Sequence, residues 1–360
     1  MLVYIGTYTR RGGKGIYVCR LDLPSGAMEI LGGAGVADNP SFLAIQPDGH
    51  HVYAINEVAE FHGKPGGGVS AFSIDPETGA LTLLNQQSSI GTEPCYVTVD
   101  KTGRYVLVAN YAGGSVCVLP IVSDGQLEPA SGFVQHEGSS VIPRRQKAPH
   151  AHSIVVDPTN RYVYVPDLGM DKIMIYWLDL ENGNLVPNET QPYVRVTPAH
   201  GPRHFAFHPN GRYACVINEI GCTVTMYRYD DMKGTLEEIQ TVPTLPDGFE
   251  GMNGTADIHF TPSGKFVYGS NRGHDSIVIY AVDEETGELS YVGHESTRGR
   301  CPRNFCIDPT GNLLLAANQE SGNVVAFHID QETGELEPTG AEIELPMPVC
   351  IQMLPVVGGR

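Results

Sequence analysis

Short runs of β-branched and aromatic residues recur along the whole chain, each broken by Gly, Pro, Asn or Asp. Tyr213–Ile217 and Thr223–Tyr227 are two such runs. Residues of this kind fit a pleated surface. No amphipathic helical period of any length is present, so the pattern predicts an all-β chain. Two independent turns give it a repeat. A Gly-x-Leu or Gly-x-Met turn falls at Gly26, Gly79, Gly125, Gly183, Gly234, Gly287 and Gly334, at intervals of 53, 46, 58, 51, 53 and 47 residues. A second turn, of the type Pro209-Asn210-Gly211 or Pro262-Ser263-Gly264, precedes an apolar stretch that ends in Asn56, Asn110, Asp167, Asn218, Asn271 or Asn318. Proline sets φ and Gly or Asn supplies φ > 0 in such turns.

Each unit therefore reads as four antiparallel strands, here A to D. Strand A precedes the Pro-x-Gly turn, B follows it, C is the next β-branched run, and D follows Gly-x-Leu. Four strands repeated seven times in 360 residues predict a seven-bladed β-propeller. The ends fit this scheme. Leu2–Ile5 matches strand B, Pro348–Gln352 matches strand A, and Gly359-Arg360 aligns with the turn before a B strand. One blade then takes A from the C-terminus and B to D from the N-terminus, which leaves no open edge. The expectation is a single domain over residues 1–360. The repeated Asn at the end of B reads as framework that bonds the turn backbone.

Charge narrows the function. Lys and Arg number 23 against 41 Asp and Glu, a net charge of −18. That disfavours nucleic acid and anionic membrane surfaces as partners, and any anionic substrate needs a local basic cluster. No apolar run approaches the ~20 residues of a membrane span. Met1–Gly12 has neither a basic nor an apolar leader region, so no signal peptide is expected. The eight cysteines include no C-x-x-C, and most lie inside β-like runs. They are expected to be free thiols in a reducing cytoplasm.

The repeats act as controls for one another, because a framework position looks alike in every blade. The start of A and the residue after B share one mouth of the ring, and there the residues differ. After B come Glu57, Tyr111, Leu168, Glu219, Arg272 and Gln319. At the start of A come His150-Ala151-His152-Ser153, Arg203-His204, Asp257 and Arg303-Asn304, among others. His150 and His152, at i and i+2 on a strand, are expected to face the same way. Arg203, Arg272 and Arg303 form a focused positive spot able to bind carboxylate or phosphate bidentately. Glu219 is expected either to work on a water or a histidine, or only to pair with arginine. Asp257 is a candidate to bind a substrate hydroxyl. Two histidines with Asp257, His204 or His259 could ligate zinc, but no tight spacing motif supports a metal. The basic run Arg144-Arg145-Gln146-Lys147 reads first as a solvated loop and second as a phosphate contact.

His-x-His-Ser at 150–153, Gly-Pro-Arg-His at 201–204, Asn-Glu at 218–219, Ala-Asp-Ile-His at 256–259, Asn-Arg at 271–272 and Pro-Arg-Asn-Phe at 302–305 together resemble a known family. It is the propeller-type 6-phosphogluconolactonases, a lactonase family that also contains the fungal carboxy-cis,cis-muconate cyclases. The resemblance covers essentially the whole chain. It implies hydrolysis of an anionic sugar lactone, 6-phospho-D-glucono-1,5-lactone, in the pentose phosphate pathway, without metal or cofactor. It implies His152, Arg203, Glu219 and Arg272 as catalytic residues, the base being either His152 or Glu219. His150, Asp257, Arg303 and Gln319 are the candidate substrate-binding residues, with Arg303 and the loop 144–147 holding the phosphate. Arg203→Lys is expected to slow turnover with little change in Tm. The rival readings are a muconate-type lactonizing cycloisomerase and a non-enzymatic interaction propeller. The latter would show aromatic patches, whereas Trp177 is the one tryptophan and aromatic residues make up 8%.

Overall fold

The structure is a computed structural model that describes residues 1–35 and 37–355. Seven antiparallel sheets form a ring, one per predicted repeat. Blade 1 pairs Pro348–Leu354 as strand A with Leu2–Thr7 as strand B, followed by Ile16–Leu21 and Met28–Ala34. Ile5 faces Ile351 and Val3 faces Met353 across that seam. The ends therefore close the ring as the repeat requires, while the alignment of Gly359-Arg360 lies outside the described residues. Blade 5 shows the regular pattern: Pro202–Phe207, Tyr213–Asn218, Thr223–Asp230 and Thr235–Pro243. In blade 4 the outer strand is broken in two, and Asn184–Pro187 and Tyr193–Arg195 both pair with Lys172–Asp179.

Local chemistry accounts for the turns. The seven Gly-x-Leu glycines have φ from +64° to +84°. The Pro-x-Gly positions Gly49, Gly103, Asn160, Gly211, Gly264 and Gly311 have φ from +60° to +78°. That region costs little only for Gly and Asn. Strand B lacks two-residue alternation because it lies between A and C and under neighbouring blades on both faces. All six residues of Tyr105–Asn110 and of Tyr213–Asn218 are buried.

The asparagine at the end of B bonds farther afield than the sequence suggests. Its amide reaches the crossover that brings the chain in from the preceding blade: Asn110 to the Ser89 carbonyl, Asn271 to Thr244 and Asn318 to Thr297. Asn218 instead donates to the hydroxyls of Thr223 and Thr225. The asparagine thus fastens blade to blade at the mouth that carries the variable residues. In blade 4, Asp167 takes this place and accepts from the ring of His136 and the backbone N–H of His150.

All eight cysteines are free thiols. Among the described residues no helix is long and apolar enough to cross a membrane.

Candidate active site

Strand A carries the site, and a backbone irregularity aims it. In blade 5, Pro202 pairs with Asn218 and His204 with Ile217, so Arg203 is an extra residue with no partner of its own. The same shift lies at Cys95 in blade 3 and at Arg303 in blade 7, and a related one between Thr255 and Ile258 in blade 6. A bulge of this kind re-aims a side chain and ends regular pairing. Blade 4 departs from expectation. Regular strand A is only Val155–Val156, and of residues 150–153 Ala151 alone forms a bridge, to Asp167. His150 and His152 are therefore not strand neighbours. Their rings meet on Tyr111, His150 stacked at 4.6 Å and His152 edge-on at 5.2 Å.

Glu219, 8% exposed, is the centre of the cluster. Its Oε2 lies 3.0 Å from Arg203 Nε, 2.8 Å from Arg272 Nη2 and 3.9 Å from His152 Nε2. Its Oε1 accepts from Arg145 Nη2. Arg203 also donates through Nη1 to the Ala256 carbonyl, and Arg272 donates to the carbonyls of Gly254 and Thr255. Among the described residues each guanidinium thereby keeps one nitrogen, Arg203 Nη2 and Arg272 Nη1, without a partner.

The charges follow from this packing. Burial alone would raise the Glu219 carboxyl, but Arg272, Arg203, His152 and the Arg145 bond together hold it well below the usual carboxylate range. Burial lowers His152 well below its usual value, and Arg203 lowers it further against the pull of Glu219. His152 is thus a neutral imidazole at neutral pH. Burial, Arg272 and Arg303 bring Arg203 down to about 10, still charged. Cys95 Sγ is 3.7 Å from His152 Nδ1, yet burial pushes this thiol up and it donates to the carbonyl of His152. A buried thiol so placed is a poor nucleophile.

The remaining candidates divide by depth. Asp257 lies one layer down the axis. Its carboxylate accepts from His204 Nδ1 at 2.7 Å, His259 Nε2 at 3.0 Å, Asn304 Nδ2 and the Phe305 N–H. Below it, His259 and Asn304 line a cavity of about 280 Å³ with strands A of blades 2, 3 and 1. His150 bonds the Tyr111 carbonyl at 3.0 Å at the edge of the cluster. Gln319 donates to Glu320 in a separate rim depression with Arg11 and Met347. Arg303 stands over the Tyr8 ring at 5.6 Å. Tyr8 in turn donates to Glu57, which also accepts from Ser41. Among the described residues, Arg303 makes no ion pair and no side-chain hydrogen bond. Across blades 4 to 6, then, the structure joins His152, Arg203, Glu219 and Arg272, while Asp257 and Gln319 lie apart from them.

Two features escape sequence reading. Arg145 enters the cluster from a loop read as solvated, and only its basic character signalled it. Tyr111 is the platform for both histidines, and its variability after strand B was the available signal. Arg203 is 2% exposed and bonded on two sides, so its replacement is expected to cost some stability as well as rate.

Charge is polarised along the axis. Hairpin carboxylates such as Asp75, Asp179, Asp283 and Asp330 cap the C–D turns at the far mouth, while Arg145, Arg203, Arg272 and Arg303 gather at the site. Such a field favours approach of an anion to the site mouth.

Residues 2–353 match the family model described as Lactonase, 7-bladed beta-propeller. A 6-phosphogluconolactonase of Bacillus subtilis is 39% identical over 305 residues, 85% of this chain and 84% of that one. A 6-phosphogluconolactonase of Formosa agariphila is 35% identical over 310 residues, 85% and 86% of the two chains. The solved structure of a periplasmic gluconolactonase from Pseudomonas aeruginosa superposes with TM-score 0.93 at 33% identity, covering 99% of each chain.

Proposed function

The chain belongs to the seven-bladed β-propeller lactonase family, and from that membership we propose that it hydrolyses 6-phospho-D-glucono-1,5-lactone to 6-phosphogluconate. The observation that carries the site assignment is Glu219 gripping Arg203 and Arg272 beside a neutral His152. The lactone carbonyl docks on the uncommitted nitrogens of the two arginines. His152 Nε2 takes a proton from water as the water oxygen bonds to the carbonyl carbon. The oxyanion forms against two fixed cations, and one such donor is worth about 2.7–4 kcal/mol in comparable sites. When the intermediate collapses, the ring C–O bond breaks and the leaving oxygen takes the proton from His152. Glu219, already bound by three guanidiniums, is the weaker proton acceptor. Its role is to hold the arginines in register and to offset the charge of the imidazolium that forms 3.9 Å away.

The reaction places the protein in sugar-acid metabolism, in the pentose phosphate pathway, and its eight free thiols favour the cytoplasm. The test is the initial rate of acid release from fresh lactone against spontaneous opening, for wild type and His152→Gln. A wild-type rate no faster than the spontaneous one overturns the reading.

A further inference from the structure

Glu219 presents an unequal set of contacts. Arg203 and Arg272 are anchored to backbone carbonyls as well as to Glu219, and their side chains are 2% and 16% exposed. Arg145 is different. Its side chain is 43% exposed, it rests on the opposite carboxylate oxygen, and its backbone belongs to the crossover from blade 3 to blade 4. The next residue pins that loop. Gln146 is fully buried, donates to the Leu168 carbonyl and accepts from the Ile142 N–H. The Arg145 side chain can thus leave Glu219 while its backbone stays in place.

Arg303 is a further cation of this mouth, stacked on Tyr8 without a carboxylate partner among the described residues. A buried or half-buried cation lacking an anion is costly unless a ligand supplies one. A phosphate monoester carries about −1.5 to −2 charge and three acceptor oxygens. It competes well for Arg145 against a single carboxylate already shared among three guanidiniums.

We propose that Arg145 is a phosphate-reading latch: the phosphate of a phosphorylated sugar lactone draws the Arg145 guanidinium off Glu219 and so couples recognition of the phosphate to the chemical step. With Arg145 gone, the charge of Glu219 is shared by two cations instead of three. More of it then faces His152, 3.9 Å away, as that imidazole takes the proton from water. Binding energy from a remote group is thereby spent on turnover as well as on affinity. An unphosphorylated lactone leaves the latch shut. The inference rests on the lactone reading above, and it makes Arg145 a positioning residue that acts through Glu219.

The experiment compares wild type and Arg145→Met on 6-phosphogluconolactone and on gluconolactone, the latter with and without sodium phosphite as a detached phosphate. The latch predicts opposite signs. The kcat/KM of Arg145→Met on the phosphorylated lactone falls by at least about tenfold through KM, the scale of one charge-assisted contact, while kcat holds near that of wild type because Glu219 is already free of its third cation. Its kcat on gluconolactone rises above that of wild type, because the cation that shields Glu219 is gone. Phosphite accelerates gluconolactone hydrolysis by wild type and not by the variant. Equal slowing of both substrates would mark a structural role and overturn the latch. So would a gluconolactone kcat no higher than that of wild type, or phosphite that is inert or inhibitory with wild type. A wild type inactive on both lactones refutes the lactone reading itself, and the latch falls with it.

Discussion

Arg203→Lys keeps a positive charge at the centre of the site and removes the planar fork. Arg203 spends Nε on Glu219 at 3.0 Å and Nη1 on the Ala256 carbonyl, two directions that one ammonium cannot serve together. The Ala256 carbonyl, in a residue with 0% exposure, loses its guanidinium donor, and leaving such a group unpaired costs about 1–3 kcal/mol. Spread over a chain of this size, a cost near 2 kcal/mol lowers Tm by roughly 2–3 °C. The kinetic cost is larger. The substrate loses the Nη2 donor, and removal of one oxyanion donor typically costs about 100- to 1,000-fold in kcat. Retained charge softens this, so the expected fall in kcat/KM is at least about tenfold, or ~1.4 kcal/mol. The assay is acid release from fresh 6-phosphogluconolactone in weak buffer, corrected for spontaneous opening, below the variant's melting range. Arg212→Lys is the matched control. Arg212 lies in the turn at the far mouth, exposed, over Tyr213 and at 3.3 Å and 3.4 Å from the carbonyls of Glu284 and Glu285. It should leave both rate and Tm almost unchanged. A kcat/KM within twofold of wild type in Arg203→Lys would remove Arg203 from the chemistry, and an unchanged Tm would show that the burial argument is wrong.

Burial and Arg203 depress His152, so it stays neutral at pH 7 and protonates only below its ordinary value of 6.5. The acid limb of kcat/KM should therefore lie below pH 6.5, and a limb at or above that value would count against His152 as base. Glu219→Gln leaves the buried Arg203 without its anion and should cost about 3 kcal/mol in urea unfolding at pH 7. Because Glu219 is held below its ordinary value of 4.5, that stability is present in full above pH 4.5 and is lost only as pH falls toward the native-state value. A wild-type advantage that fades already between pH 7 and 5 would contradict this. Titration of the denatured, non-reduced protein should count eight thiols, and a count near zero would show disulfides.

The sequence by itself determined the ring. The Gly-x-Leu and Pro-x-Gly turns need φ > 0, which only a few residues accept, so blade count, strand order and the closure of Leu2–Thr7 onto Pro348–Leu354 were all legible. The variable positions at one mouth included His152, Arg203, Glu219 and Arg272, and the resemblance to the lactonase family singled those four out. What the sequence left undecided is which of two adjacent side chains faces the axis. In a regular strand Arg203 and His204 point to opposite faces. Here a bulge re-aims Arg203 at Glu219, while His204 turns to Asp257 one layer down. Regular strand is lost at His150–Ser153, where the Asp167 side chain from strand B takes the backbone N–H of His150. Arg145 reaches the site because a buried glutamine holds a long crossover against Leu168. Turns obey the dihedral limits of one or two residues, and sequence carries those directly. Bulges and crossovers are set by packing between segments far apart in the chain, and only the closed ring brings those segments together.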